Sequence, residues 1–213
     1  MDKARALDAL SVGNAAPLAE RSFGTTHWRV DRWDAEQTKW AARQFDALGI
    51  MPPGWAPDAD AFATLRVRPY LTTELTGNLI TNAGWTRLMN LLTNQGATQA
   101  LTATATRIGV GNSNTAEAYT DTDLQAAAGA ANRYFQPVAG AGTLGTRTLA
   151  FSATFGTGDG NFAWNEFGID VGTPTVTGGT TVNALLFNRK ASIAQGTKAA
   201  GQTWTATATI TFS

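Results

Sequence analysis

The segment Thr203-Trp-Thr-Ala-Thr-Ala-Thr-Ile-Thr-Phe-Ser213 decides the fold class. Trp204, Ala206, Ala208, Ile210 and Phe212 fall on one side of a period-two pattern, and Thr203, Thr205, Thr207, Thr209 and Thr211 on the other. Side chains alternate faces along a strand, so the segment predicts a half-buried β-strand with an apolar row inside and a threonine row outside. β-Branched threonine suits such a pleated, weakly charged surface.

The same reading extends towards the N-terminus. Strands are predicted at 104–111, 133–138, 146–155, 162–171 and 182–190, separated by turn signals such as Gly156-Thr-Gly-Asp-Gly160 and Gly178-Gly179. Within 146–155, Leu149, Phe151, Ala153 and Phe155 alternate with Thr148, Ala150, Ser152 and Thr154. Within 162–171 the apolar side switches, from Phe162 and Trp164 to Phe167, Ile169 and Val171, which predicts a β-bulge near Glu166 to Gly168. Asp121-Thr-Asp123 is placed to cap a short helix through Ala128. A longer helix is expected from about Thr81 to Asn94, with Trp85, Leu88, Met89, Leu91 and Leu92 as its apolar stripe and Gly96 as its stop. The number and spacing of strands predict a mainly β fold, an antiparallel β-sandwich with one packed helix, over residues 71–213.

Residues 1–70 differ in character. They hold 18 of the 32 charged residues, together with Trp28, Trp33, Trp40 and Trp55. The first thirty show no period and read as an extended arm. Asp34-Ala-Glu-Gln37 has the form of a capping box, followed by a short helix to about Leu48 with Gly49 as its stop. Met51-Pro-Pro-Gly-Trp-Ala-Pro57 is excluded from regular structure by its prolines and reads as a linker. Phe62 to Tyr70 alternates as a strand would. The expectation is therefore an anchoring segment, 1–70, ahead of a separate β-domain.

The 16 basic residues are balanced by 16 acidic ones, which argues against nucleic-acid gripping as the main task. The absence of Cys removes disulfides, thiolate nucleophiles and Cys-ligated metals. No stretch is long and apolar enough to span a membrane. The N-terminus has no apolar signal-peptide core, so synthesis in the cytoplasm without ordinary export is expected.

The search for chemistry finds isolated pieces. His27 is the only histidine and has no orienting partner in its pattern. Gly109-Val-Gly111-Asn-Ser-Asn114 lacks the third glycine of a dinucleotide loop and the Gly-Lys-Ser/Thr of a P-loop, and reads as a strand end entering a loop. Asp159-Gly-Asn161 and Asp121-Thr-Asp123 carry closely spaced oxygens without a complete calcium loop, and read as a turn and a cap. Glu166 and Asp170 share a face of an unbroken strand beside Trp164, an arrangement that could serve carbohydrate. Arg133, Arg147 and Arg189 are available to pair with them instead. No catalytic residue, cofactor or metal is assigned, and no enzyme is expected. Trp28, Trp33, Trp40, Phe45 and Trp55 are the candidate interface residues, since Trp anchors interfaces. The competing reading folds this segment over the β-domain to complete its core.

Several segments occur in a set order: Gly77-Asn-Leu-Ile-Thr-Asn-Ala-Gly84, the Leu-rich helix, Arg107-Ile-Gly-Val-Gly-Asn-Ser-Asn-Thr-Ala116, Thr120-Asp-Thr-Asp-Leu124, Asn132-Arg-Tyr-Phe135, Asn161-Phe-Ala-Trp-Asn-Glu-Phe-Gly-Ile-Asp170, Leu185-Leu-Phe-Asn188 and the closing Trp-Thr strand. In this order the C-terminal two-thirds resembles a family of tailed-bacteriophage virion proteins met in phages of actinobacteria, described as minor capsid, decoration or tail proteins. The resemblance implies a non-enzymatic structural protein located in the virion. Its first expectation is a capsid decoration or cement protein bound to the major capsid protein or other virion proteins. Such a protein would form a homo-oligomer, with a trimer compatible, and need no nucleic acid, membrane or cofactor. A tail, baseplate or fibre component is the close alternative. A host-glycan-binding module built on Trp164, Glu166 and Asp170 is the third.

Overall fold

The computed structural model describes residues 24–51, 55–96, 100–140, 142–171 and 185–212. Ten strands and three helices follow in the order β1 (Gly24–Trp33), α1 (Ala35–Ala47), α2 (Ala59–Thr64), β2 (Leu71–Thr76), β3 (Leu79–Ile80), α3 (Asn82–Thr93), β4 (Thr106–Gly111), β5 (Arg133–Pro137), β6 (Thr143–Gly145), β7 (Thr148–Phe155), β8 (Glu166–Val171), β9 (Leu185–Ala191) and β10 (Thr203–Phe212). Two five-stranded antiparallel sheets form, β2-β1-β10-β7-β6 and β3-β9-β8-β4-β5. The mainly β sandwich read from the sequence is the fold observed.

The closing strand behaves as its pattern requires. Trp204, Ala206, Ala208 and Ile210 are buried in the core between the sheets. The threonine row faces the other way, and Thr154 and Thr205 join their hydroxyls at 2.9 Å across β7 and β10. One end of that row is buried: Thr203 pairs with Trp33, and both are covered.

β1 is the main correction. Residues 24–33 are no part of an arm, for β1 lies between β2 and β10 inside its sheet. Its full length pairs with β10, from Gly24 opposite Phe212 to Trp33 opposite Thr203. Thr26, Trp28 and Val30 point into the sandwich, where Trp28 stacks on Phe167 of the facing sheet at 4.7 Å. Arg32 follows on that side, its guanidinium 4.3 Å from the Trp204 ring and donating to Gln195 at 2.7 Å. The boundary expected at residue 70 therefore cuts through one sandwich. The part of the expected arm before Gly24 lies outside the described residues.

α1 starts where expected. Asp34 accepts from the Gln37 amide at 2.8 Å, and the Gln37 side chain accepts from the Asp34 amide at 3.1 Å. Gly49 follows in the left-handed region, φ 67°, which releases the chain from the helix. Phe62–Tyr70, expected as a strand, begins instead as α2. Asp58 caps it by accepting from Ala61 N at 2.9 Å, and Phe62 stacks flat on Trp33 at 4.3 Å. Trp33, Ala41 and Phe62 make a second small core on the outer side of the β1 sheet. A helix satisfies its own backbone there, whereas a strand would have needed another edge to pair with.

α3 has the expected extent, with Thr81 as N-cap and Asn94, not Gly96, providing the left-handed stop at φ 52°, but its buried side is made by Gly84 and Arg87, while Met89 and Leu92 of the expected apolar stripe are exposed. No helix follows Asp121-Thr-Asp123. The apolar switch in 162–171 is real: Phe162 and Trp164 share the core with Phe167, Ile169 and Val171. It arises because β8 begins only at Glu166, while the irregularity of pairing lies between Ile169 and Asp170, opposite β9.

Candidate functional site

The outer face of the second sheet carries most of the chemistry-bearing residues. β8 presents Glu166, Gly168 and Asp170 on this face, because Phe167, Ile169 and Val171 take the core side. Glu166 is buried, and so is the Arg189 guanidinium that donates to it at 2.7 Å. The Glu166 carboxylate also accepts from the amides of Gln125 and Ala126 at 3.0 and 2.7 Å. Arg189 in turn holds Asp121 at 3.0 Å and the carbonyls of Thr115 and Ala116 at 2.7 and 3.2 Å. Loop 112–132 is thereby tied down on the sheet by Glu166 and Arg189, and Glu117 adds a second attachment by accepting from Lys190 Nζ and Ala191 N, each at 2.9 Å.

The glycines at 109 and 111 serve this loop. A Cβ on Gly109 would stand 2.6 Å from the Phe135 ring and 3.0 Å from Leu124, and one on Gly111 would collide with the Glu166 carboxylate. The resemblance to a phosphate loop is thus a clearance requirement for Leu124, Phe135 and Glu166, and the strand does run into a loop after Gly111.

Both segments considered for cations, Asp121-Thr-Asp123 and Asp159-Gly-Asn161, meet the protein's own cations. Asp121 holds Arg189, and Asp123 holds Arg133 at 3.0 Å. Around Asp159-Gly-Asn161, the buried Lys198 ammonium donates to Gly156 O at 2.7 Å and to Asn161 Oδ1 at 2.8 Å. Burial holds Lys198 down at about 8, with the nearby Asp159 charge pulling the other way. Tyr134, partly buried and hydrogen-bonded to Asp159, is pushed up to about 12 by loss of water around its hydroxyl and by the Asp159 charge. Among the described residues, no group of three or more His, Asp or Glu side chains is placed to hold a metal ion.

His27 lies half-exposed on the outer side of β1, 3.6 Å from Glu74. Trp164 is fully buried, its indole N–H bound to Gly160 O at 2.9 Å and its ring set between Phe155 and Trp204, each at 4.8 Å. It cannot stack on a sugar. With Glu166 sealed by Arg189, the glycan reading loses two of its three residues.

The five candidate interface residues divide. Trp28 and Trp33 are buried within the chain's own sheet, so they are corrected from surface contacts to core. Phe45 and Trp55 pack edge to face at 4.9 Å and are half-buried. Only Trp40 is openly exposed, at 42%. It shares a helical row with Leu48, two turns on and 67% exposed, and Ile50 and Met51 extend the apolar surface beyond the helix end. The sequence reading missed Leu48, Ile50 and Met51 as surface groups; the signal was their position past the Ala41–Phe45 turn, where no further apolar partner follows in register. A cleft of about 460 Å³ borders the second core, lined by Arg29, Asp31, Trp33, Arg66, Val67 and Arg68. Arg29 is committed to Asp31 there, at 2.9 Å.

No family model, curated protein or solved structure matches the chain. Among the described residues, no helix is long and apolar enough to cross a membrane.

Proposed function

We propose that the chain is a non-enzymatic structural protein of a tailed-phage particle, seated on the capsid as a decoration protein bound to the major capsid protein. The observation that carries this reading is the set of exposed large apolar side chains on α1 and just after it, Trp40, Leu48, Ile50 and Met51. Exposed large apolar groups gathered in one place are characteristic of binding surfaces, and Trp is a common anchor in them. The order of segments from Gly77 to the closing strand supports the same reading. So does the internal pairing of Glu166, Asp121, Asp123 and Lys198, which leaves these groups committed to holding loops.

The test is co-sedimentation of the purified chain with emptied heads and isolated tails of the phage that carries its gene. Binding to heads, weakened at least about tenfold by Trp40→Ser with Leu48→Ser, supports the proposal, since anchor residues each contribute about 2 kcal/mol or more. Binding to tails alone replaces the capsid placement with the tail one. Full occupancy of heads by the double variant removes the α1 surface from the account.

A further inference from the structure

The buried charges that anchor the loops over the second sheet come in closed sets. Glu166 has Arg189, Asp123 has Arg133, and Lys198 has two oxygens. One group is left open. Arg87 of α3, Arg107 of β4 and Asp170 of β8 are only 7%, 7% and 3% exposed. Nε and Nη2 of Arg87, Nε of Arg107 and both carboxylate oxygens of Asp170 are buried without a well-formed hydrogen bond, the amide of the next residue, Val171, being near the carboxylate but outside that geometry. Arg107 and Asp170 are direct cross-strand neighbours in the β4–β8 register. Such neighbours have Cβ atoms about 4.5–5.5 Å apart, within easy reach of an ion pair. That this pair stays open although both members are buried is unusual, because a buried polar atom without a partner costs about 1–3 kcal/mol.

The sign of the site follows from its charges. Two guanidiniums face one carboxylate, and the second carboxylate nearby, Asp123, already holds Arg133. The excess is positive. Guanidinium groups match the planar, paired oxygens of oxyanions better than any other cationic side chain. We infer that Arg87, Arg107 and Asp170 form a binding site for a compact tetrahedral oxyanion of the phosphate or sulfate type. The anion joins α3 to the sheet, with the two guanidiniums supplying the donors that the protein leaves unused.

Asp170 sets the pH response. Burial, and then the Asp123 charge, push its carboxyl up to about 7, against the opposing pull of Arg107, the Val171 amide and Arg87. Below that pH it is a neutral donor able to join the two guanidiniums. Above it, the carboxylate repels the anion.

The probe is sulfate, whose charge does not change over the range used, titrated into the full chain at constant ionic strength and followed by calorimetry. Saturable binding at about pH 6 is expected, weakening about tenfold by about pH 8.5, the effect of roughly one unit of differential interaction. Arg107→Leu and Arg87→Met each lower the affinity at least about tenfold. Asp170→Asn, which keeps the shape of the side chain, retains binding and flattens its pH dependence. The proposal is overturned if wild type gives no saturable response, or if both arginine variants bind as wild type does. It is also overturned if Asp170→Asn leaves the pH dependence intact. Should the arginine variants fail to fold, the wild-type and Asp170→Asn titrations still decide.

Discussion

Replacing Glu166 with Ala should free the Gln125–Ala126 turn of loop 112–132 from the second sheet. The wild-type carboxylate is fully buried and accepts three bonds, from Arg189 at 2.7 Å, Ala126 N at 2.7 Å and Gln125 N at 3.0 Å. Removing one partner of a buried ion pair costs about 3–5 kcal/mol. Arg189 keeps Asp121 and two carbonyls, so its own penalty falls at the lower end of that range. The two orphaned amides add about 1 kcal/mol or more each. Opening of the loop caps the sum, because water then reaches all three donors. The expected loss is about 3–5 kcal/mol, read as a lower urea midpoint at unchanged slope. Glu166→Gln retains one acceptor and should lose about half as much. Hydrogen exchange supplies the local readout: the Gln125 and Ala126 amides should be protected in wild type and exchange freely in Glu166→Ala. A stability change within about 0.5 kcal/mol, the range of ordinary surface substitutions, together with unaltered exchange at both amides would refute the reasoning.

Gly109→Ala forces a methyl against the Phe135 ring at 2.6 Å and should cost about 1–3 kcal/mol, whereas Gly140→Ala, with nothing within 4 Å, should be neutral; denaturation midpoints of the two compare them directly. Lys198 titrates at about 8 in the fold against an ordinary 10.5, so the unfolded chain binds more protons between those values. Its contribution to stability therefore grows as pH rises from about 8 to 10.5, and the stability of wild type relative to Lys198→Met should increase over that window. A flat or falling difference in urea midpoints would contradict the burial of this ammonium. Trp33→Ala should destabilise by about 3–5 kcal/mol, because it empties the stack with Phe62, while Trp40→Ser should change stability by less than about 0.5 kcal/mol; thermal unfolding separates core from surface tryptophan.

Local pattern was legible where one period ran long enough. The capping box at Asp34–Gln37 and the apolar stripe of α3 are local signals, and both helices appear with bounds close to those expected. β1 was legible in principle: Trp28 and Val30 alternate with Arg29 and Asp31. The pattern was hidden because it follows twenty-odd residues without a period, and because paired tryptophans near a charge-rich start read as anchors. Only pairing with β10 reveals Trp28 as the centre of the core. Phe62–Tyr70 failed for a different reason. Its alternation was genuine, but the Asp58 cap and the flat contact with Trp33 outweigh it, and that contact depends on a residue 29 positions earlier in the chain.

The candidate sites show the same division. Glu166 and Asp170 were placed on one face by counting, correctly, and Arg189 was among the partners available. Counting could not reveal that one carboxylate is sealed and the other left open, since that depends on register across β4, β8 and β9 and on where loop 112–132 comes to rest. Nor could it find Lys198 inside the Gly156–Asn161 turn, because the two meet only through the long return from β9 to β10.

By itself, the sequence determined the segments whose local signal is long or capped: a period of two makes the closing strand half-buried whatever it pairs with, and the caps at Asp34 and Thr81 start their helices. Which surfaces remain for function was decided by tertiary structure. Burial and charge pairing are properties of distant segments brought together, so Trp28 and Trp33 become core, Trp40 and Leu48 become surface, and Arg87, Arg107 and Asp170 become neighbours only when the two sheets close.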